Sequence, residues 1–181
     1  MHHQQLSVRE LQHSDIQLLI NYWFGSHPDF LLSMGVDLKK MPAKEEFTQM
    51  LLDQLSAPAE QKTSYCIIWL LDNIPVGHSN TNPTSFGEEA KMHLHLWKRD
   101  ERKKGLGTSF VKITLPYFFN NLQLQKLICE PYALNTAPNK TLEKLGFHFV
   151  KEYITIPGFI NFEQPVNRWE MTHENFEALN W

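Results

Sequence analysis

The N-terminal part of the chain carries apolar residues at helical spacing. A capping-box pattern at Ser14 and Gln17 predicts the start of a helix that reaches Trp23. The apolar face of this helix is formed by Ile16, Leu19 and Ile20. A second helical face, before the break at Ser56-Ala57-Pro58, is formed by Phe47, Met50, Leu51 and Leu55. We predict a short strand, Leu6 to Arg9, ahead of both helices.

The middle of the chain predicts three strands. Apolar runs over Tyr65 to Leu71 and Ile74 to Asn80 flank Asp72-Asn73, a dipeptide typical of a hairpin turn. A loop over Thr81 to Glu89 should follow, and then a third strand over Lys91 to Trp97.

The second half of the chain alternates between helices and strands. We predict a helix over Thr108 to Asn121, in which Pro116 should cause a kink or remove the hydrogen bond to residue 112. A further helix should begin at Asn135 and end near Gly146, because these residue types favour the two helix ends. The predicted strands are Leu127 to Glu130 and a tail, Ile154 to Met171, that is interrupted at Pro157-Gly158 and Pro165.

Composition and charge restrict the class of protein. The 181 residues are 42% hydrophobic and 20% charged, a balance that favours one folded domain over residues 1–181. The net charge of −3 argues against a general nucleic-acid binder. Cys66 and Cys129 lie within apolar runs and do not indicate a disulfide framework. We expect a cytoplasmic protein without a membrane partner, because the sequence shows neither a signal-peptide pattern nor an apolar stretch of membrane-spanning length.

A basic turn with two glycines leads from the third strand of this middle region into the next helix, and its sequence is Arg102-Lys103-Lys104-Gly105-Leu106-Gly107-Thr108. The first amides of a helix lack intrahelical partners and the helix dipole is positive there, so the turn predicts a phosphate site. The glycines allow an anion to approach the backbone. The turn is not a P-loop, because no lysine stands between Gly107 and Thr108. It is not a dinucleotide fingerprint either, because Phe110 replaces the third glycine.

Two motifs resemble those of a known family. The spacing Arg102-x-x-Gly105-x-Gly107 is similar to the acyl-CoA pyrophosphate loop of the GNAT N-acetyltransferase superfamily. Further along, Asn135 followed by Glu143-Lys144-Leu145-Gly146-Phe147 is similar to that family's asparagine, helix and Gly-Phe pair. The resemblance covers residues 65–150 and is nearest the branch that includes ribosomal-protein, aminoglycoside and siderophore-lysine acetyltransferases.

The resemblance implies a fold and a cofactor. The fold would be α+β, with a central, mostly antiparallel mixed sheet of six to seven strands flanked by about four helices. The fourth and fifth strands should splay apart to admit the pantetheine arm. Residues 1–181 should then form a single acyl-CoA N-acyltransferase domain that uses acetyl-CoA as co-substrate and no metal.

The resemblance also implies which residues bind the donor. The pantetheine arm should pair with the strand backbone around residues 96–98, and the amides of residues 103–108 should bind the phosphates. Asn135 matches the asparagine near the pantetheine amides, with helix capping as an alternative or additional role, and Asn139 is a second candidate for the same contact. The full predicted donor set is Leu96, Trp97, Lys98, Arg102, Lys103, Lys104, Gly105, Leu106, Gly107, Thr108, Asn135 and Asn139.

Acetylation of an amine requires a group that removes a proton from the ammonium. Strand alternation places His93, His95 and Trp97 on one face, which can border a cleft. The opposite face is apolar and consists of Met92, Leu94 and Leu96. Histidine accepts protons near neutrality, and a similar His-x-His pair occurs in the arylalkylamine branch of the family. We predict His93 first and His95 second as the base, acting directly or through water, with a pair of structural or surface histidines as the alternative.

Glu88 and Glu89 are rival bases. Glutamates earlier on this strand serve as the base in the histone-acetylating branch of the family, and position 89 has the same strand parity as His93. A solvated loop is the favoured interpretation of both glutamates.

The family's usual acids for the leaving thiolate are missing. Leu142 stands where many members have a tyrosine, and Pro138 stands where some ribosomal-protein members have a serine. Asn139, Tyr132 or water could substitute, or the thiolate could leave without protonation.

The sequence leaves the acceptor open. Aromatic residues with interspersed acids suit a cationic amine that has an apolar or flat body. The possible acceptors are a small polyamine or arylalkylamine, an aminoglycoside-like drug, a lysine side chain in a small metabolite, or a protein N-terminus. The protein itself is expected to be a monomer or a homodimer. The aromatic segments are Trp23-Phe24, His27-Pro28-Asp29-Phe30, Trp69 and Phe159 to Glu163, of which Trp69 is expected to be a packing residue.

Two other functional classes stay open. A non-catalytic acyl-CoA-binding or sensing module of the same fold is favoured slightly by the missing acids. The phosphate turn, Asn135 and the paired histidines favour an enzyme instead. A basic phosphate site for RNA or a nucleotide would leave the block from Asn135 to Phe147 without an explanation.

Overall fold

A single sheet of seven strands forms the centre of the protein. The computed structural model describes residues 4–97 and 105–179. The strands are β1 (Leu6–Glu10), β2 (Tyr65–Leu71), β3 (Ile74–Thr84), β4 (Glu89–Leu96), β5 (Lys126–Cys129), β6 (His148–Thr155) and β7 (Gln164–Thr172). Their order is β1-β2-β3-β4-β5-β7-β6, and every neighbouring pair is antiparallel except β4 and β5. The prediction of a mostly antiparallel mixed sheet is confirmed.

Four α-helices of nine to thirteen residues flank the sheet within the described ranges, together with two of six residues. The longer four are α1 (Ile16–Gly25), α3 (Lys44–Ser56), α4 (Leu106–Pro116) and α5 (Thr136–Lys144). The short ones are α2 (Pro28–Ser33) and α6 (His173–Ala178). None of the helices in these ranges has both the length and the apolar character needed to cross a membrane.

The predicted hairpin between β2 and β3 is present. Asp72 and Asn73 adopt φ values of 51° and 64°, which is the left-handed backbone that a two-residue turn of type I′ requires. The strands differ from the prediction in length. β3 continues to Thr84 through an irregularity in its pairing with β4, so the connecting loop is shorter than predicted.

Two helix ends differ from the sequence prediction. The capping contact before α1 is made by Asp15, whose buried carboxylate accepts from the Gln12 amide at 2.9 Å and pairs with Arg9, so the predicted Ser14–Gln17 box is wrong. The helix predicted over residues 108–121 ends as an α-helix at Pro116 and continues as a π-helical turn, Tyr117–Asn121. Proline lacks the amide hydrogen that the i−4 carbonyl needs, which explains a change of hydrogen bonding at this point.

The sheet has two buried faces. On the α4–α5 face, Trp69 stacks on Phe110 with ring centroids 5.1 Å apart and donates its indole N–H to Thr114 at 3.0 Å. Trp69 is therefore a core residue, as expected. The opposite face of β2 presents Cys66, Ile68 and Leu70 to α1 and α3.

The sheet splays between β4 and β5. Their parallel pairing covers Glu89 to Lys91 only, whereas β4 continues to Leu96 and β5 ends at Cys129. The predicted splay is confirmed, and it opens one edge of β4 at the centre of the molecule.

Candidate active site

The backbone of β4 presents alternate residues to β3 and to the splay. The Trp97 amide donates to the Val76 carbonyl at 2.8 Å, and the His93 carbonyl accepts from the Ser79 hydroxyl at 2.7 Å, so these odd-numbered residues direct their backbone groups to β3. Even-numbered residues then direct theirs to the splay. The Met92 carbonyl confirms this direction, because it accepts from the Cys129 thiol on β5 at 3.1 Å.

This alternation corrects the predicted pantetheine contact. The Trp97 amide bonds within the sheet and does not point into the splay, so Trp97 leaves the set. Leu96 has the required direction, and Leu94, which the sequence prediction omitted, has it too. Lys98, the third predicted residue, lies outside the described residues.

The start of α4 is the predicted phosphate site. Gly105 is the N-cap, with a left-handed φ of 76°, and Leu106, Gly107 and Thr108 form the first turn of the helix. A Cβ placed at Gly105 or Gly107 meets none of the described neighbouring atoms within 4 Å, so among the described residues the space beside these two glycines is open. The remaining predicted residues, Arg102, Lys103 and Lys104, lie outside the described ranges.

Asn135 and Asn139 have different roles. The Asn135 side chain borders the central cavity and makes no capping hydrogen bond, which speaks against helix capping as its role. The Asn139 amide is saturated: its nitrogen donates to the Tyr132 and Asn135 carbonyls, and its oxygen accepts from Asn167 and from the Trp169 indole. We therefore assign Asn139 to the scaffold that fixes the start of α5, which corrects its prediction as a donor ligand and as a substitute acid.

A polar group of four side chains lies on the sheet face below α1 and α3. His78 and Asn80 on β3 stand opposite His95 and His93 on β4, and all four border the cavity. The predicted histidine face of β4 is thus a cleft face. Alternation along β4 predicted half of this group, and the register between the strands supplies the other half.

His93 has the geometry of a neutral base. Its Nε2 lies 2.9 Å from the Asn82 carbonyl oxygen. A carbonyl can only accept, so Nε2 carries the proton and Nδ1 holds a lone pair. Burial lowers the pKa of His93 below its ordinary value, against the Asn82 hydrogen bond, which raises it. The imidazole is therefore uncharged at neutral pH and able to accept a proton.

His95 belongs to an aromatic cluster with His78. The two rings stack with centroids 4.7 Å apart, and His95 Nδ1 lies 3.1 Å from the Tyr22 hydroxyl. His78 Nδ1 accepts from the Trp97 indole N–H at 2.8 Å. Sequence analysis missed His78 and Tyr22. His78 shares the strand parity of Asn80, but nothing in the sequence shows which residue of β4 it faces.

His78 predicts a pH-dependent stability. Burial lowers its pKa from 6.5 to about 3, with a smaller contribution from His93. The unfolded chain therefore binds more protons between these values, and the free energy of unfolding should fall as the pH drops from 6.5 towards 3. About 1 kcal/mol should be lost between pH 6.5 and 5.5. In the His78→Gln variant, the glutamine side chain can still accept a hydrogen bond from the Trp97 indole. Glutamine does not titrate, so this variant should not lose that roughly 1 kcal/mol of unfolding free energy. Urea unfolding of both proteins at the two pH values measures the difference, and equal losses would contradict the assignment.

One cavity of about 590 Å³ connects these features. At the splay it is bordered by Met92, Leu94 and Cys129, and between α1 and α3 by Leu19, Trp23 and Phe47. The polar group on β3 and β4 lies between the two ends, and the volume is typical of a small-molecule site. The described residues contain no cluster of three or more His, Cys, Asp or Glu side chains arranged to hold a metal ion.

The rival bases Glu88 and Glu89 lie away from the cavity, whereas Tyr132 on the leaving-group side borders it. The Glu89 carboxylate pairs with Lys126 at 2.8 Å, where β4 and β5 are still paired, and neither Glu88 nor Glu89 borders the cavity. Leu142 is fully buried in the core. Tyr132 and Pro138 border the cavity near Asn135, so Tyr132 is the one predicted substitute acid that has access to it.

A buried carboxylate at the end of β5 escaped sequence analysis. Glu130 pairs with Lys91 at 2.6 Å and with Arg168 at 3.0 Å, and accepts a hydrogen bond from the Tyr153 hydroxyl. Burial alone would raise the pKa of Glu130, but Lys91, Tyr153 and Arg168 together hold it below the usual range. Glu130 is therefore an ionised carboxylate whose charge its two cationic partners compensate.

The splayed mixed sheet, the glycine-containing helix start and the cavity below the splay define an acetyltransferase of the GNAT class. The chain belongs to this family, because the family's Acetyltransferase (GNAT) domain matches residues 5–148. None of the curated proteins compared with the chain matches it. The family resemblance predicted from the two sequence motifs is confirmed.

Solved structures of other acetyltransferases share the fold. An aminoglycoside acetyltransferase, AAC(6')-Ib, in complex with coenzyme A has 17% identity and a TM-score of 0.74, over 98% of this chain and 100% of that one. A spermidine N-acetyltransferase from Vibrio cholerae in complex with CoA and spermine has 16% identity and a TM-score of 0.76. The match covers 96% of this chain and 98% of the other chain. RimL, a ribosomal L7/L12 alpha-N-protein acetyltransferase in complex with coenzyme A, has 12% identity and a TM-score of 0.74. The match covers 94% of this chain and 95% of RimL.

Proposed function

We propose that this protein is an N-acetyltransferase, formed by a single domain over residues 1–181, that moves the acetyl group of acetyl-CoA to a primary amine. The observation that carries the proposal is the single cavity that joins the splayed edge of β4 to the histidine face below α1 and α3. Donor and acceptor can meet in such a cavity without a covalent enzyme intermediate. Coenzyme A in the structures of similar fold supports acetyl-CoA as the donor.

The donor site uses backbone groups in two places. The pantetheine arm pairs with β4 at Leu94 and Leu96, as a strand pairs with an open sheet edge. The pyrophosphate lies at the start of α4, whose first amides lack intrahelical partners and where the described residues leave space beside Gly105 and Gly107. Arg102, Lys103 and Lys104 add positive charge next to this helix start. Asn135 binds the pantetheine amides from the other side of the splay.

The reaction is a direct attack of the amine on the thioester. His93 Nδ1 removes a proton from the ammonium, directly or through a water molecule, and the neutral nitrogen forms a bond to the acetyl carbon. The carbon–sulfur bond then breaks, and the coenzyme A thiolate leaves or takes a proton from Tyr132 or from water. His95, held by Tyr22 and stacked on His78, is the second candidate for the base.

Thermal unfolding with acetyl-CoA tests the donor site. A ligand at about a hundred times its dissociation constant adds roughly 2.7 kcal/mol to the stability of the folded state. For a domain of this size we expect the melting temperature to rise by about 5–10 °C. ATP and NAD serve as controls for a general phosphate site. Absence of a rise, or an equal rise with ATP, would contradict the proposal.

Steady-state thiol release separates an enzyme from a non-catalytic acyl-CoA sensor. An enzyme releases coenzyme A continuously when acetyl-CoA and an acceptor amine are both present. A sensor of the same fold would show the thermal shift with acetyl-CoA and no turnover with any amine.

A further inference from the structure

The acceptor end of the cavity has an apolar wall beside polar residues from the end of α3 to the start of β2, which include Gln54, Lys62 and Ser64. Between α1, α3 and the loop from 157 to 161, the cavity is bordered by Trp23, Met34, Met41, Phe47, Met50 and Phe159. Three of these are methionines, whose flexible side chains adapt to apolar ligands of irregular shape. Walls of this kind stabilise an apolar body by removing its surface from water.

Few charges face this end of the cavity. Among the described residues that border it, the carboxylates are Asp53 and Glu130. Glu130 is compensated by Lys91 and Arg168, and Asp53 accepts a hydrogen bond from Gln49 on the exposed face of α3. An ammonium placed against apolar walls loses hydration, and the free-energy penalty grows with each additional ammonium.

Two loops meet over the cavity. The Gly35 carbonyl, after α2, accepts from the side chains of Asn161 at 2.9 Å and Gln164 at 3.0 Å, and the Asp37 amide donates to the Ile160 carbonyl at 2.7 Å. These bonds join the α2–α3 connection to the β6–β7 loop. A side chain at Gly35 would collide with Gln164, whose oxygen would lie 2.0 Å from its Cβ. Residues of both segments border the cavity, so this contact forms part of the cavity wall.

From these walls, charges and loops we infer that the acceptor is a small primary amine with one ammonium group on an apolar body, such as an aralkyl or alkyl amine. This inference rests on the proposed function. The apolar body lies between Trp23, Phe47 and the methionines, and the amine points to the polar group around His93 and Asn80. A polyamine, an aminoglycoside and a peptide N-terminus are the competing classes, and each is an arm of the test.

The test compares kcat/KM for thiol release across amines. Phenethylamine and hexylamine represent the inferred class, and spermidine, kanamycin and an alanyl peptide represent the others. We expect kcat/KM for the better of the two apolar monoamines to be at least tenfold higher than kcat/KM for spermidine, kanamycin or the alanyl peptide. A higher value for any competing class, or no turnover of either monoamine, overturns the inference. Acetyl-CoA binding is measured on the same samples. An absent thermal shift, or a shift without turnover of any of the five amines, contradicts the proposed function itself, whereas preferred turnover of a competing class contradicts only the inference.

A substitution at Met50 tests the wall directly. Met50 is 38% exposed on α3, so both Met50→Glu and Met50→Gln should fold. The new carboxylate should raise kcat/KM for spermidine relative to phenethylamine by about fivefold, the effect of one partly exposed ion pair. The glutamine variant is matched in size and uncharged, so the difference in this ratio between the two variants isolates the effect of the charge. Equal ratios in the two variants would show that the acceptor does not lie against this wall.

Discussion

Replacing His93 by alanine should lower kcat roughly 100- to 10,000-fold, the range that general base catalysis supplies. The dissociation constant of acetyl-CoA should stay the same, because His93 faces the acceptor side and the donor binds to backbone groups of β4 and α4. Single-turnover measurement of coenzyme A release, with acetyl-CoA binding measured in parallel, separates the two effects.

His93→Gln is the matched control for this substitution. A glutamine amide can still donate to the Asn82 carbonyl, but it cannot accept a proton at neutral pH, so we expect a similar loss of kcat. The wild-type kcat/KM should rise with pH through the lowered pKa of His93, below its ordinary value of 6.5. Both variants should lack this rise. If they keep the wild-type profile, the base is His95 or a water molecule.

Local patterns predicted most of the secondary structure because their causes are local. The Asp72-Asn73 turn depends on two residues that tolerate a positive φ, and the α3 face depends on apolar spacing within thirteen residues. The prediction of Ser14 as the capping residue of α1 was wrong, because Asp15 makes the capping contact and is held in place by Arg9 on the neighbouring strand. That contact depends on tertiary structure, which a capping pattern does not contain.

Strand alternation and the family motifs predicted part of the candidate site. Alternation placed His93 and His95 on one face, and the structure puts that face in the cavity. It did not identify His78, because the register of β3 against β4 decides which side chains meet. The prediction of Asn139 as a donor ligand failed for a similar reason. Its partners Asn167 and Trp169 lie on β7, far along the chain, and they occupy an amide oxygen whose partners the sequence does not show.

Backbone direction is a further limit of sequence analysis. Counting residues back from the phosphate turn placed the predicted pantetheine contact at residues 96–98. It could not show that Trp97 bonds to Val76 and that Leu94 points to the splay, since the hydrogen-bonding parity of a strand follows from its pairing. In the proposed contact, Leu94 therefore replaces Trp97.

Gly107→Asp should weaken acetyl-CoA binding about 100-fold or more and leave the unliganded fold intact. A Cβ at Gly107 meets no atom of the neighbouring described residues within 4 Å, so these residues leave room for the side chain. A carboxylate in the first turn of α4 interacts favourably with the helix dipole, and a non-glycine residue raises helix propensity, so the free protein should melt at the same or a higher temperature. The same carboxylate would repel a pyrophosphate at contact distance by several kcal/mol.

Gly107→Asn separates this repulsion from crowding, because asparagine has nearly the same size and no charge. We expect about a tenfold loss of acetyl-CoA affinity for asparagine and a much larger loss for aspartate, measured by isothermal titration. Raising the salt concentration should narrow the difference between the two variants, because screening weakens the repulsion. Unchanged affinity in the aspartate variant would mean that the phosphates bind elsewhere and that the glycine turn only connects β4 to α4. The donor half of the proposed function would then rest on the splay alone.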